Sequence, residues 1–149
     1  MLLTNDHISG IIDGDGSFFI SFQKDGKIKI GFNITNDRES RALLEAIISK
    51  IKEIGSIHEG TKNELVYTVT GLIQITEILI PFIDNNPLYP ERAQHFNKFR
   101  TVSHLLNNEK PLTLESKLKI VELYYDLNKN GKHRLMTKSE YIKLLHTKY

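Results

Sequence analysis

The sequence has no cysteine and no tryptophan among its 149 residues, and alanine occurs only three times. Without cysteine there are no disulfides, thiolate metal sites or cysteine nucleophiles. The scarcity of alanine beside abundant isoleucine, lysine and asparagine is typical of an AT-rich coding sequence, so we expect an organellar location, in a mitochondrion or chloroplast. The first residues lack a basic region followed by a long apolar core, and we expect no targeting peptide.

Long hydrophobic runs are also missing. The longest apolar stretch, 72–83, is interrupted by polar residues and by Pro81, and it falls short of the ~18 residues that a membrane helix needs. We therefore expect no membrane partner. The length suits one domain over 1–149, in which we expect a core fold at 1–109 and a helical extension at 110–149.

Positive charge is small overall but unevenly distributed. The formal net charge is +2, yet residues 110–149 hold nine Lys or Arg and four Asp or Glu. This basic extension is either an ordinary solvated helix face or a surface that contacts phosphates. Lys132 and Arg134, clustered after a turn-rich stretch, are the predicted phosphate contacts.

Hydrophobic spacing predicts the order of the elements. Capping residues at 4–6 and apolar residues three and four apart predict a helix ending at Gly14-Asp15-Gly16. Period-two alternation then predicts strands at 17–23, 27–35, 56–59 and 64–70. Helices are expected at 38–54, 72–82, 91–106, 114–127 and 137–146. The predicted fold class is α+β, an α-β-β-α-β-β-α half-saddle with a four-stranded antiparallel sheet covered by helices on one face, followed by C-terminal helices.

The uncovered face of this sheet is predicted to be polar, with hydrogen-bonding side chains that are nearly all uncharged or cationic. An antiparallel sheet of this kind has one face on the core and the other in water or against a ligand. Both alternatives fit the pattern alone. If the face binds a ligand, the predicted contacts are Ser21, Gln23, Lys27, Lys29, Asn33, Thr35, His58 and Thr68.

The first helix carries two glycines four residues apart, Gly10 and Gly14, at a cost of about 1 kcal/mol each relative to alanine. Such a stripe lets another backbone approach closely. Asp15 lies at the foot of the stripe, where the helix dipole disfavours an anion. A bound cation would relieve that conflict.

The segment ISGIIDGDGSF strongly resembles the signature of the LAGLIDADG homing endonucleases, and the predicted element order is that of this family. The resemblance continues between Phe82 and Phe96, where Pro87-Leu88, Arg92 and Phe96 are similar to the start of the family's late helix. It spans most of the chain.

The resemblance implies specific roles for residues of the motif. Asp15 would bind the divalent metal together with the backbone carbonyl of Gly14, and Asn36 would position water or the scissile phosphate. Arg92 stands where the family usually has lysine, and Lys98 lies further along the helix, so both are candidates for the active-site cation. The small residues Ser9, Gly10 and Gly14, with a structural Asp13, would form the dimer interface.

The resemblance further implies an intron-encoded endonuclease that hydrolyses both strands of a long, pseudo-palindromic DNA target. Its expected cofactor is Mg²⁺, for which Mn²⁺ can substitute. Because the sequence has one motif, the active unit is expected to be a homodimer on double-stranded DNA. Two alternatives stay open: an RNA maturase that binds intron RNA and assists splicing of its host intron, and a non-cleaving DNA-binding protein on the same fold.

Overall fold

The computed structural model describes residues 3–23, 26–127 and 137–148. The strands are β1 (Gly16–Phe22), β2 (Ile28–Asp37), β3 (Ser56–Glu59) and β4 (Glu64–Val69). The helices are α1 (Asn5–Asp15), α2 (Arg41–Lys50), α3 (Leu72–Gln74), α4 (Ile80–Asn85), α5 (Pro90–Asn108), α6 (Leu114–Leu127) and α7 (Lys138–Lys148). Lys132 and Arg134 lie outside the described residues.

The four strands form one antiparallel sheet in the order β1-β2-β4-β3. Alternate residues of the strands are buried, as the period-two pattern predicts. They are Phe18, Ile20 and Phe22 in β1, Ile30, Phe32 and Ile34 in β2, and Leu65, Tyr67 and Val69 in β4. The intervening side chains form the opposite face, which we call the open face. The predicted α+β fold class is confirmed.

Helix α1 passes directly into strand β1, with no loop between Asp15 and Gly16. The N–H of Gly16 donates to the carbonyl of Ile12 and thereby caps the helix. A Cβ on Gly16 would lie 2.7 Å from that carbonyl oxygen, which is closer than real Cβ contacts allow. Glycine is therefore required for a turn this tight, and the turn fixes where Asp15 stands relative to the sheet.

An aromatic cluster centred on Phe18 holds the sheet against α5. The Phe18 ring lies 5.1 Å from that of Phe32, 5.5 Å from that of Phe96 and 5.0 Å from that of Phe99. Such tilted ring pairs contribute about 0.5–1.5 kcal/mol each beyond the area that they bury. The cluster thus joins β1 and β2 to the first half of α5.

Helix α2 is shorter than predicted. A helix over 38–54 was expected, but β2 runs on through Asn36 and Asp37, and a 3-10 turn (Arg38–Ser40) precedes α2. The helix ends at Lys50 because Lys52 and Glu53 adopt left-handed φ angles of 52° and 60°. This turn brings Ile54 into the core, where it is buried.

The helix predicted at 72–82 contains a wide turn and continues beyond the prediction. Residues Ile75–Leu79 form a π-helical turn between α3 and α4, and α4 extends to Asn85. Proline lacks an N–H, and its ring crowds the carbonyl four residues earlier. The π turn immediately precedes the turn that contains Pro81 and relieves this crowding. Strand β4 likewise ends at Val69, one residue before the prediction.

Within the described ranges, none of the helices combines the length and apolar character that crossing a membrane requires.

We predict that Gly16→Ala lowers the free energy of unfolding by about 1–3 kcal/mol, the usual cost of overpacking. The added Cβ forces the backbone of α1 away from β1. Gly71→Ala is the matched control, because its Cβ would meet the Gln74 side chain at an ordinary 3.4 Å. Urea unfolding of both variants measures the difference, and equal midpoints would contradict the tight-junction argument.

Candidate active site

Asp15 stands exposed at the end of α1, beside the end of β2. The register pairs Gly16 with Ile34, so the chain around Asp15 faces the last residues of β2. The Asn36 side-chain amide donates from Nδ2 to Asp15 Oδ2 at 3.3 Å. The structure therefore brings together two of the predicted catalytic residues.

Asn36 is held in one orientation by two further hydrogen bonds. Its Oδ1 accepts from the Asp37 N–H at 2.9 Å and from the Ser40 hydroxyl at 3.2 Å. With both donors on Oδ1, the amide nitrogen is turned toward Asp15. Ser40 was not among the predicted site residues. A polar residue four positions after Asn36 carries no distinctive sequence signal.

Hydrogen bonds also join α1 to the chain that leads into α5. Ser9 donates its hydroxyl to the Asn86 carbonyl at 3.0 Å, and the Tyr89 N–H donates to Asp13 Oδ1 at 3.1 Å. Arg92 donates from Nη2 to the Asp13 carbonyl at 3.3 Å. Asp13 thus accepts from the start of α5 in its own chain, and its role across a helix pair stays a prediction.

Two cationic side chains, Arg92 and Lys98, lie on α5, which starts near the C-terminal end of α1. Arg92 caps a carbonyl near the C-terminal end of α1, where the helix dipole favours a cation. Burial, and then the charges of Arg92 and Lys98, lower the pKa of His95 below its usual value. Both predicted cations therefore lie close enough to act on one imidazole, which favours the neutral form of His95.

The predicted dimer surface is open in the described protomer. Gly10 and Gly14 are exposed, and a Cβ at either position would meet no atom within 4 Å. Nothing within the described protomer therefore requires glycine at these two positions. Ser9 differs from them because it is 8% exposed and already bonded to Asn86. The interface roles of all four residues stay predictions.

The open face carries most of the predicted contact residues in aligned rows. Ser21 pairs with Lys29, Asn33 lies between Ser17 and Thr68, and Val66 lies between Thr35 and His58. Gln23 and Lys27 lie beyond the strands instead, in the hairpin turn, where the Gln23 N–H donates to the Lys27 carbonyl at 2.8 Å.

Two polar atoms on the open face lack partners. Asn33 Oδ1 and Thr68 Oγ1 are shielded from water, and neither has a hydrogen bond to the described residues. Buried polar atoms are normally paired, so this arrangement is unfavourable in the isolated protein. A small rotation of either side chain toward a polar ligand would supply the missing bond.

We predict that His95→Asn removes part of the loss of stability on acidification. Because the folded state lowers the pKa of His95, the unfolded chain binds more protons near pH 6. The stability tied to neutral His95 is present above the ordinary pKa of 6.5 and falls as pH drops below it. Urea unfolding at pH 7.5 and 5.5 measures the effect, with exposed His104→Asn as the control. An identical pH dependence in wild type and His95→Asn would refute it.

Comparison with curated proteins identifies related endonucleases. The chain is 29% identical over 127 residues to the probable intron-encoded endonuclease 3 of Neurospora crassa, covering 80% of this chain and 24% of that protein. It therefore spans about a quarter of the length of this relative.

Solved structures with the same fold include three that contain DNA. The LAGLIDADG meganuclease I-AabMI, bound to uncleaved DNA, is 34% identical with a TM-score of 0.79, over 85% of this chain and 45% of that chain. I-SmaMI, bound to uncleaved DNA in the presence of calcium ions, is 25% identical with a TM-score of 0.79. This match covers 91% of this chain and 51% of that chain. The archaeal intron-encoded I-Vdi141I, complexed with DNA, is 28% identical with a TM-score of 0.82, over 96% and 94%.

The family model described as LAGLIDADG endonuclease matches residues 8–103. This range contains most of α1 with Asp15, the whole sheet, and the part of α5 that carries Arg92 and Lys98. The match covers more than half of the chain and confirms the resemblance of its motif. The chain belongs to the LAGLIDADG endonuclease family.

Proposed function

We propose that this protein is a site-specific endonuclease that hydrolyses both strands of a double-stranded DNA target. The observation that carries the proposal is the position of Asp15. Its exposed carboxylate lies beside the end of β2 and accepts a hydrogen bond from Asn36, at the end of the sheet where a duplex lying on the open face would pass. The DNA complexes of I-AabMI and I-Vdi141I support this use of the fold.

The proposed cofactor is a divalent cation, Mg²⁺ or Mn²⁺ in its place, held by Asp15 and the Gly14 carbonyl. An exposed carboxylate at the C-terminal end of a helix dipole is suited to a cation. No group of three or more acidic, His or Cys side chains gathers anywhere in the described ranges. This sparse donor set fits Mg²⁺, which keeps several waters and combines few carboxylates with substrate phosphates. The calcium-containing complex of I-SmaMI supports a divalent ion.

The bound ion would neutralise phosphate charge and acidify a coordinated water. The residues of the chain have separate tasks. Asn36 donates from its amide to the Asp15 carboxylate and would keep that carboxylate in position to hold the cation. A guanidinium donates hydrogen bonds and accepts none, so Arg92 would stabilise the negative charge that develops on the phosphate and would not act as a base. Lys98, further along α5, adds to the same positive field.

The proposed active unit is a homodimer in which α1 of one protomer packs on α1 of its partner. The support is the pair Gly10 and Gly14, where an added Cβ would meet no atom of the described protomer within 4 Å. The chain matches nearly all of I-Vdi141I but about half of I-AabMI, so this sequence corresponds to one fold unit. Two copies of Asp15 then act on the two strands of one duplex.

On the open face, hydrogen-bonding side chains would read base edges in the major groove. Asn33 suits adenine, Lys29 suits guanine, and Ser21, Thr35, His58 and Thr68 donate or accept locally. Gln23 and Lys27 extend this contact surface into the hairpin turn. Lys132 and Arg134 remain proposed phosphate contacts, because a basic segment adds affinity without base preference.

We predict that Asp15→Asn abolishes cleavage while the affinity for the target changes by less than about tenfold. The variant removes a metal-binding carboxylate but no base-reading group. The target is first recovered by selection from a DNA library in the presence of Mg²⁺. Cleavage is then followed on gels and binding by fluorescence anisotropy. Asp6→Asn, at the other end of α1, is the matched control and should cleave normally. Retained cleavage in Asp15→Asn would disprove the assignment.

We predict that Gly10→Leu converts the dimer into folded monomers. The Cβ of the new side chain meets no atom of the described protomer within 4 Å, and leucine costs a helix less than glycine by about 1 kcal/mol. It would, however, occupy the space of the partner helix. Sedimentation velocity gives the mass, and circular dichroism verifies the fold. Lys50→Leu, exposed on α2, controls for the added apolar surface. A Gly10→Leu variant that stays dimeric would place the interface elsewhere.

A further inference from the structure

Phe19 places an aromatic ring on the open face, opposite Gly31 in the β1–β2 register. The tip of the ring fills the volume where a side chain at position 31 would begin, because Phe19 Cζ lies 2.0 Å from the ideal Cβ position. Any side chain at 31 would collide with it. Glycine therefore allows the ring to lie across β2 instead of standing away from the sheet.

The surroundings of this ring are polar on both sides along the strands. The row toward the hairpin holds Ser21 and Lys29, and the row toward the active site holds Ser17 and Asn33. The partly exposed Phe19 ring is thus an apolar patch close to the sheet surface, between two rows of hydrogen-bonding side chains. Longer neighbours can project past it and contact the same ligand.

The ring also has free space beside it. Strand β4 ends at Val69, opposite Phe32, so among the described residues no strand pairs with the preceding part of β2 on that side. A cavity of about 410 Å³ lies there. Its lining includes Phe19, Lys29, Leu72 and Leu106. The ring can therefore tilt toward a ligand without displacing tightly packed atoms.

In the major groove, base edges present hydrogen-bond donors and acceptors together with one apolar group, the 5-methyl of thymine. A phenyl ring makes no conventional hydrogen bond and therefore complements that methyl. We propose that Phe19 is a specificity-determining residue that contacts the 5-methyl group of one thymine in each half of the target. This inference rests on the proposed endonuclease function.

A purely structural role for the ring gives a different expectation. Aromatic side chains can shield a strand glycine and thereby stabilise a sheet. Such a ring would affect the stability of the protein and would leave the response to a methyl group on the DNA unchanged. Replacing thymine by uracil removes that methyl and nothing else, so it separates the two roles.

The experiment replaces each thymine of the recovered target in turn by deoxyuridine. Fluorescence anisotropy measures the affinity of wild type in Ca²⁺ for every substituted duplex. At one position in each half, affinity should fall about fourfold, as expected for one buried methyl-sized group. Substituting 5-methylcytosine for cytosine there, after a thymine-to-cytosine change, should restore part of the affinity.

Variants then assign the methyl effect to the ring. Phe19→Ser should bind the thymine and uracil duplexes equally, and Gly31→Ala should do the same because its Cβ displaces the ring. Val66→Ser is the matched control, since Val66 is the other apolar side chain among the described residues of the open face. It should keep the full methyl effect. Thermal melting verifies that each variant is folded.

The outcomes separate this inference from the proposed function. If wild type cleaves and binds its target but responds to uracil at no position, Phe19 is not a base reader and the endonuclease proposal stands. If the methyl effect persists in Phe19→Ser, the assignment of Phe19 as a base reader is likewise overturned, and the endonuclease proposal again stands. If no library member is cleaved, both proposals fail.

Discussion

The direct passage from α1 into β1 is the constraint on which the site depends. A helix end joined to a strand by a loop can shift by several ångströms, whereas here Gly16 caps the helix and opens the strand at once. The position of Asp15 is therefore set by the packing of two elements together. One side of α1 is buried against the core through Ile8 and Ile12, and β1 is anchored through Phe18.

A second set of contacts joins parts of the chain that are far apart in sequence. Asp13 receives bonds from Tyr89 and Arg92, 76 and 79 residues away, and these bonds bring the start of α5 to the end of α1. The same helix is held to the sheet by the Phe18 cluster. Asp15, Asn36 and Arg92 thus come from three different elements, α1, β2 and α5. Such a fixed arrangement would suit the proposed phosphodiester hydrolysis, which requires precise geometry.

The sequence predicts the strands well because alternation is a local property. Phe18, Ile20 and Phe22 reveal their face without knowledge of any partner. The end of α2 and the π turn before Pro81 depend on how these segments pack, and the local pattern does not contain that information. In the site, Asp15 and Asn36 follow from the motif and the element order. Ser40, and the bonds of Asp13 to α5, are tertiary contacts that a single sequence does not reveal.

The contact between Phe19 and Gly31 has a consequence for evolution. The two positions are coupled, since a side chain at 31 displaces the ring of Phe19 unless residue 19 is small. Under the proposed base contact, a substitution at 31 therefore also changes what residue 19 contacts, and the two positions do not vary independently. Relatives that recognise different DNA should therefore exchange these residues as a pair. A large residue at position 19 should accompany glycine at 31, and a small residue at 19 should accompany a larger one at 31. In a symmetric assembly each such exchange alters both halves of the recognised site at once.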